Sequence, residues 1–477
     1  MKKELKIIAL SALMVLSAAS LASCGNSKTI PDFTMPEGGF NFEEEVEITF
    51  YHTMGKALSD VLDIFLEPGS SFSTKYPNII VNHQQIGSYD DVRDQITTAL
   101  GAGAAGSECD VAYCYPDHLA MYNKNKAIVT LDTLIDDTIV DENGELVYGM
   151  SQATKDDYVD AYWDEGMAFG DGKMYMLPWA KSSEVLYYNK TFFDEHSLSV
   201  PDHWFSTGED DTTSVEYVCA KIQDIDPDSI PLGYDSDSNW FITMCEHLES
   251  GYTSYDEDNH YIFDNETNRN FVSTFAEWYK KGYVTTKSLN GAYTSSLFTN
   301  VPTKENPVRS YMSIGSTAGA GNQVPESING KQYFEVGVAA IPQANSAKPK
   351  VISQGPSVCL FRNEDPQKVL ASWLFIKHFT TDVYFQSQFS MTSGYTPVIK
   401  SVNDNQTYAN FLNSNSVVAM STKQCVDQAD AYFVSPAFAG SADARNEVGY
   451  LLQAAMSKAK SIDKAFADAL SSLDYKG

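Results

Sequence analysis

The sequence predicts an α/β fold, a mixed and mostly parallel sheet with helices on both faces. Three observations carry that reading: short apolar strands alternate with amphipathic helices, the strand segments repeat at period two, and the helical ones at three to four. "VEITFYH" alternates Val46, Ile48 and Phe50. "ALSDVLDIFLE" then sets Leu58, Val61, Leu62 and Phe65 at helical spacing. "NIIVN" from Asn78 is the next strand, "YDDVRDQITTAL" puts Tyr89, Val92, Ile96 and Leu100 on one helix face, and "CDVAYC" is a third strand. This β-α-β-α-β order calls for parallel pairing with helical crossovers. Farther on, "EVLYYN", "EVGVAAIP" and "SVCLF" read as strands, and "QKVLASWLFIKHF" and "EVGYLLQAAMSKA" as helices. No internal repeat of fixed period occurs.

Ahead of the first strand, Lys2, Lys3 and Lys6 precede an apolar run from Ile7 to Ala22. That is the pattern of a secretory signal segment, and it is short for a membrane span. "LASC", Leu21 to Cys24, resembles the lipobox of bacterial lipoproteins. The resemblance implies cleavage after residue 23, a diacylglycerol on the Cys24 thiol, palmitate included, and a membrane-anchored protein. Residues 24–45 are rich in Gly, Pro, Ser and acid without hydrophobic period, which predicts a flexible tether reaching on the order of 25 Å.

Composition narrows the partners. With 33 Lys plus Arg against 63 Asp plus Glu, the net charge is -30, so nucleic acid and acidic lipid surfaces are repelled at long range. Apart from Cys24, the cysteines are Cys109, Cys114, Cys219, Cys245, Cys359 and Cys425, scattered without CxxC or His spacing. Buried thiols or one or two bridges both fit, and a zinc site does not. "GAGAAG", Gly101 to Gly106, follows helical residues and precedes a strand, the reverse of a dinucleotide site. "DSDSNW" from Asp235, with Glu246 at the twelfth place, mimics a calcium loop, but Trp240 stands where the turn needs glycine. No phosphate-loop, zinc-protease or serine-hydrolase motif occurs, and neither metal nor cofactor is expected.

Aromatic and small polar residues gather at the predicted element ends, in "GSYDD", "YPDH", "LPWAKSSEVLYYNK", "DSNW", "SIGSTAG", "SQGPS" and "TSGYTP". Aromatic faces stack on sugars or polyols, while hydroxyls, Gly amides and carboxylates meet their hydroxyl rims. In order and spacing, "EITFYHTMG", "KYPNIIV", "GSYDDV", "DGKMYMLPWAKSSEVLYYNKTFF" and "TSGYTPVIKS" resemble the family 1 extracellular solute-binding proteins of ABC importers, and most of all the sn-glycerol-3-phosphate binders. The resemblance implies a type II periplasmic-binding-protein-like fold whose two lobes are hinged and close on a ligand. One lobe is placed at 46–181 and 344–400, the other at 182–343 and 401–477.

It also implies a set of ligand contacts: Tyr89, Asp117 where relatives usually carry Glu, Ser182, Trp240, Ser316, Gly355, Tyr395 and Arg445. Ser182 and Ser183 both remain candidates at their turn. Arg445 would hold a phosphate through its planar fork, with Lys181 as a second cation. Read without the resemblance, Arg445 is a surface residue paired with Asp443 or Glu447. The expected protein is a monomeric, extracytoplasmic sugar-transport lipoprotein on the outer leaflet of a single-membrane bacterium. It passes a sugar or glycerol phosphate to a permease without acting as an enzyme. A neutral, maltodextrin-like oligosaccharide is the alternative ligand. A secreted glycosidase, with two carboxylates about 5 to 10 Å apart, and a surface adhesin are the rival classes.

Overall fold

A computed structural model describes residues 32–102, 108–124 and 126–476. The signal segment, Cys24 and Gly103–Gly106 of the glycine-rich loop lie outside the described residues. The strands, in chain order, are β1 Val46–His52, β2 Ile79–Gln85, β3 Val111–Cys114, β4 Leu177–Pro178, β5 Glu184–Asn189, β6 Leu232–Tyr234, β7 Val284–Thr286, β8 Met312–Ser316, β9 Ser327–Ile328, β10 Lys331–Gln332, β11 Val336–Ala339, β12 Val351–Ile352, β13 Ser357–Leu360 and β14 Tyr432–Phe433. Ten of them form two five-stranded sheets, ordered β2-β1-β3-β13-β4 and β11-β5-β8-β6-β7, each the centre of one lobe, and the other four pair as β9-β10 and β12-β14.

Each sheet is parallel on one side and antiparallel on the other. In the first, β1 pairs in parallel with β2 and β3, whereas β13 runs against β3 and β4. In the second, β6 is parallel to β7 and β8, whereas β5 opposes β8 and β11. The antiparallel members are the strands that follow a crossing between lobes, so they enter from the opposite direction.

The period-two pattern resolves into two-faced cores. Ile48, Phe50, Val111, Tyr113, Val358 and Leu360 point to one side of the first sheet, where Trp179 and Phe375 of helix Pro366–Thr381 complete the packing. Tyr51, Ala112, Cys114 and Cys359 point to the other, against Val92 and Ile96 of helix Tyr89–Gly101. In the second sheet Leu186, Met312 and Ile314 face one core, and Val185 and Tyr187 the other. Alternation therefore buries both faces of each sheet, as helix-covered sheets require.

The chain changes lobe later than expected in two places. Val351 and Ile352 are still in the second lobe's core, and Val402 and Tyr408 are in the first lobe's. The crossings fall instead at residues 179–183, 353–356 and 413–416. The expected tether is also shorter. Phe40 is buried in the first lobe with its N–H donated to the Tyr148 hydroxyl at 2.6 Å, and Phe33 and Met35 pack on the same core. Asp32 pairs with Arg362. Residues 32–45 are thus a docked strap. All six cysteines named above are buried free thiols.

At the first two crossings the segments bond to each other as one residue pair each way: Ser182 N–H to Gln354 O and Gln354 N–H to Ser182 O, both at 2.9 Å. Gly355, at φ +92°, makes this approach feasible, since a β-carbon there would lie 2.4 Å from the Ala180 carbonyl oxygen. Gly355→Ala is expected to lower unfolding stability by at least about 2 kcal/mol, read from urea melts.

Candidate ligand-binding cleft

A cavity of about 320 Å³ lies between the lobes. The first lobe contributes the starts of helices Tyr89–Gly101 and Pro116–Asn123, and the second the start of helix Ser441–Met456 together with Ile242 and Tyr252. Each start has a local cause. Ser88 and Asp91 form a capping box, Pro116 occupies the first turn, and Gly440 turns the chain at φ +114° before Ser441. Three positive helix ends therefore face one space, which favours oxygen-rich or anionic groups there. The crossing residues Ser353 and Gln354 and the segment Phe433–Ala437 complete the wall.

Four polar atoms on this wall have no hydrogen-bond partner among the described residues: Tyr252 Oη, His118 Nδ1, Ser353 Oγ and Gln354 Nε2. Unpaired polar atoms at buried positions are costly, and their concentration around one cavity marks it as built for a polar occupant.

The charges on the wall are largely spent. Arg93 is held by Asp90 at 2.7 Å and by Asp94 at 2.8 Å. Glu165 pairs with Lys181, the side chains being 3% and 0% exposed. Burial pushes the Glu165 carboxyl up, and Lys181 pulls it back. His118 stands 3.9 Å from both Asp90 and Asp117, and burial lowers its pKa, leaving the ring neutral at pH 7.

Arg445 differs. Among the described residues it forms no ion pair; its Nη2 donates to Asn239 Oδ1. The Asn239 amide donates in turn to Glu184 Oε1 at 2.7 Å, and Tyr234 Oη donates to Glu184 Oε2 at 2.5 Å. Glu184 is pushed up to about 7, first by burial, against the pull of Tyr234, Asn239 and Arg445. Arg445 is thus oriented by a neutral amide and keeps its charge available to the cavity.

Of the expected contacts, Tyr89, Asp117 and Arg445 line the cavity. Tyr395 stands behind Tyr89, the hydroxyls 3.2 Å apart. Gly355 lies behind the wall, its N–H 3.3 Å from the Tyr115 hydroxyl and its carbonyl accepting from Lys181 at 3.1 Å. Ser182 and Ser316 bond to each other at 3.2 Å inside the hinge, and Ser183 donates to the Ile352 carbonyl at 2.8 Å, so none of these serines faces the cavity.

Two expectations need correcting. Trp240 is 0% exposed, stacked between Tyr234 at 5.0 Å and Phe275 at 4.1 Å in the second core. It has no face for a ligand. Lys181 is neutralised by Glu165 and also bonds Ser357 Oγ at 2.9 Å, so it is not a free cation. The calcium-like run is likewise engaged internally: Asp237 accepts from Thr286 at 2.5 Å and Ser288 at 2.7 Å.

The sequence reading missed Tyr115, His118, Glu165 and Tyr252 as wall residues. The first two sit in the quoted "YPDH", beside Asp117, and aromatic and imidazole groups at a helix start were the available signal. For Glu165 and Tyr252 no local signal exists, because only the tertiary fold brings them to the cavity.

The sequence pattern of a family described as bacterial extracellular solute-binding protein matches residues 69–412. No curated protein matches the chain by sequence. Among solved structures, UgpB from Mycobacterium tuberculosis in complex with glycerophosphocholine is 17% identical, with a TM-score of 0.65 over 90% of this chain and 98% of that one. The GacH receptor of Streptomyces glaucescens GLA.O, solved unliganded and with acarbose, is 16% identical, with a TM-score of 0.65 and the same coverage. Lmo0181 from Listeria monocytogenes, in complex with cycloalternan, is 15% identical, with a TM-score of 0.67 over 91% and 99%. All share the two-lobed fold.

Two stability tests follow from the buried charges. Lys181→Met is expected to cost about 3–5 kcal/mol by stranding Glu165, and adding Glu165→Met should recover much of it; denaturant melts of both variants check this. Glu184 titrates higher in the folded chain than the unfolded value of about 4.3, so the folded state holds its proton through the window up to about 7. Its contribution is full below that window and declines as pH rises through it, by on the order of 3 kcal/mol. Glu184→Gln should remove that slope from unfolding free energy measured between pH 4 and 8.

Proposed function

As the chain belongs to the bacterial extracellular solute-binding protein family, we propose that it is the substrate-binding component of an ABC importer, taking a carbohydrate or polyol phosphate into the interlobe cavity. sn-Glycerol 3-phosphate or a glycerophosphodiester is the preferred ligand. The carrying observation is Arg445: a cavity guanidinium without an ion-pair partner among the described residues, fixed by a neutral amide and facing the same space as three helix starts. A phosphate there would gain charge-assisted, bidentate bonds. Tyr89, Tyr115 and Tyr252 would wall the glycerol portion, and Asp117, Ser353 and Gln354 would meet its hydroxyls.

The same tyrosines favour the second reading, a neutral oligosaccharide, because aromatic walls suit sugar rings. Binding without turnover fits both readings. Asp90 and Glu165, the carboxylates beside Asp117, are already held by Arg93 and Lys181. Lipid on Cys24 would tether the first lobe, which holds the 32–45 strap, to the membrane beside the permease, with the protein acting as a monomer.

A thermal-shift screen over sn-glycerol 3-phosphate, glycerophosphodiesters and maltodextrins, followed by calorimetry, tests the proposal. A phosphate ester should bind, and Arg445→Ala should weaken it on the order of 100-fold. Binding of maltotriose with no response to any phosphate ester would assign the neutral reading instead.

A further inference from the structure

Beside the cavity the lobes share one acceptor. The carbonyl of Ala168, on the first lobe, accepts the Tyr255 hydroxyl at 2.8 Å and the Ala437 N–H at 3.0 Å, both from the second lobe. A carbonyl oxygen has two lone pairs, so this arrangement fills it. Ala168 is fixed in turn, its own N–H bonded to the Glu165 carbonyl at 3.1 Å, and Glu165 and Ala437 both line the cavity.

Tyr255 is not held there by burial. Its side chain sits on an exposed loop and the residue is 52% accessible, so packing in the core does not explain its position. Gly170, at φ +74°, leaves room for the ring: a β-carbon at Gly170 would stand 3.1 Å from Tyr255 Cε1. Exposed tyrosines are ordinarily free to rotate, yet this one spans the gap between lobes with its hydroxyl bonded on the far side.

We propose that the Ala168 carbonyl, with Tyr255 and Ala437 as its two donors, is a clasp that biases the lobes toward the closed arrangement from beside the cavity. Tyr255 does not line the cavity. It sets affinity by setting the closed population: a ligand binding the closed form is released only as fast as the clasp lets the lobes part. The clasp acts alike on every ligand that fits, which separates it from Arg445, whose effect depends on ligand charge. It therefore does not rest on the identity of the ligand.

The test uses the full chain with Tyr255→Phe, which removes one hydroxyl from an exposed ring, and Gly170→Ala, which crowds the ring and strains the left-handed backbone beneath it. Small-angle scattering of the ligand-free proteins should show both variants more open than wild type, with a larger radius of gyration. Dissociation of sn-glycerol 3-phosphate and of maltotriose, whichever bind, should quicken by the same factor of about three to ten in Tyr255→Phe. Superimposable scattering from all three proteins would overturn the clasp. So would an effect confined to one of two binding probes, which would make Tyr255 a ligand contact. If neither probe binds, the ligand reading fails, and scattering alone decides the clasp.

Discussion

The buried ammonium of Lys181 is the constraint on which the two-lobed arrangement depends. It sits where the chain first leaves one lobe, bonded to Glu165 on the cavity wall and to Gly355 and Ser357 on the returning segment. Its backbone pairs with Thr396, just after helix Val383–Ser393 of the first lobe. One charge thereby ties the crossing segments to the wall they support. A buried ion pair of this kind contributes little net stability, since desolvation offsets the attraction. What it provides is a fixed direction for Glu165 and a reason for the hinge strands to stay in register.

Against that background the cavity's electrostatics become simple. Glu165 and Arg93 are each balanced by a neighbour, and His118 is neutral. Arg445, without an ion pair among the described residues, has its orientation fixed by a group without charge, through Asn239 and Glu184 beneath it. A strongly acidic protein can therefore present a cationic spot at one place, because local pairing decides the field in a cleft and net charge decides it only at long range.

Much of the fold was readable from the sequence because two-sided sheets write alternation directly into it, as at Ile48, Phe50 and Tyr51. The site was readable in part. Tyr89, Asp117 and Arg445 lie at helix starts, where chemistry and local signal coincide. Trp240 misled because nearly every residue of helix Asp237–His247 is buried, so its sequence has no polar face to show which side meets the cavity. The strap at 32–45 misled for a related reason: Phe33, Met35 and Phe40 dock without regular structure, so no period exists to detect. The neutralisation of Lys181 is purely tertiary, joining residues 16 apart in sequence across a loop.

The six interior thiols have a practical corollary. Burial raises the pKa of Cys109, Cys114, Cys219, Cys245 and Cys425, so little nucleophilic thiolate forms near neutrality, and every one of the six is shielded from solvent. Among the described residues the native fold thus presents no reactive thiol to a maleimide. A cysteine introduced on the rim would be alkylated selectively, and a fluorophore placed there turns the opening and closing of the molecule into an optical signal.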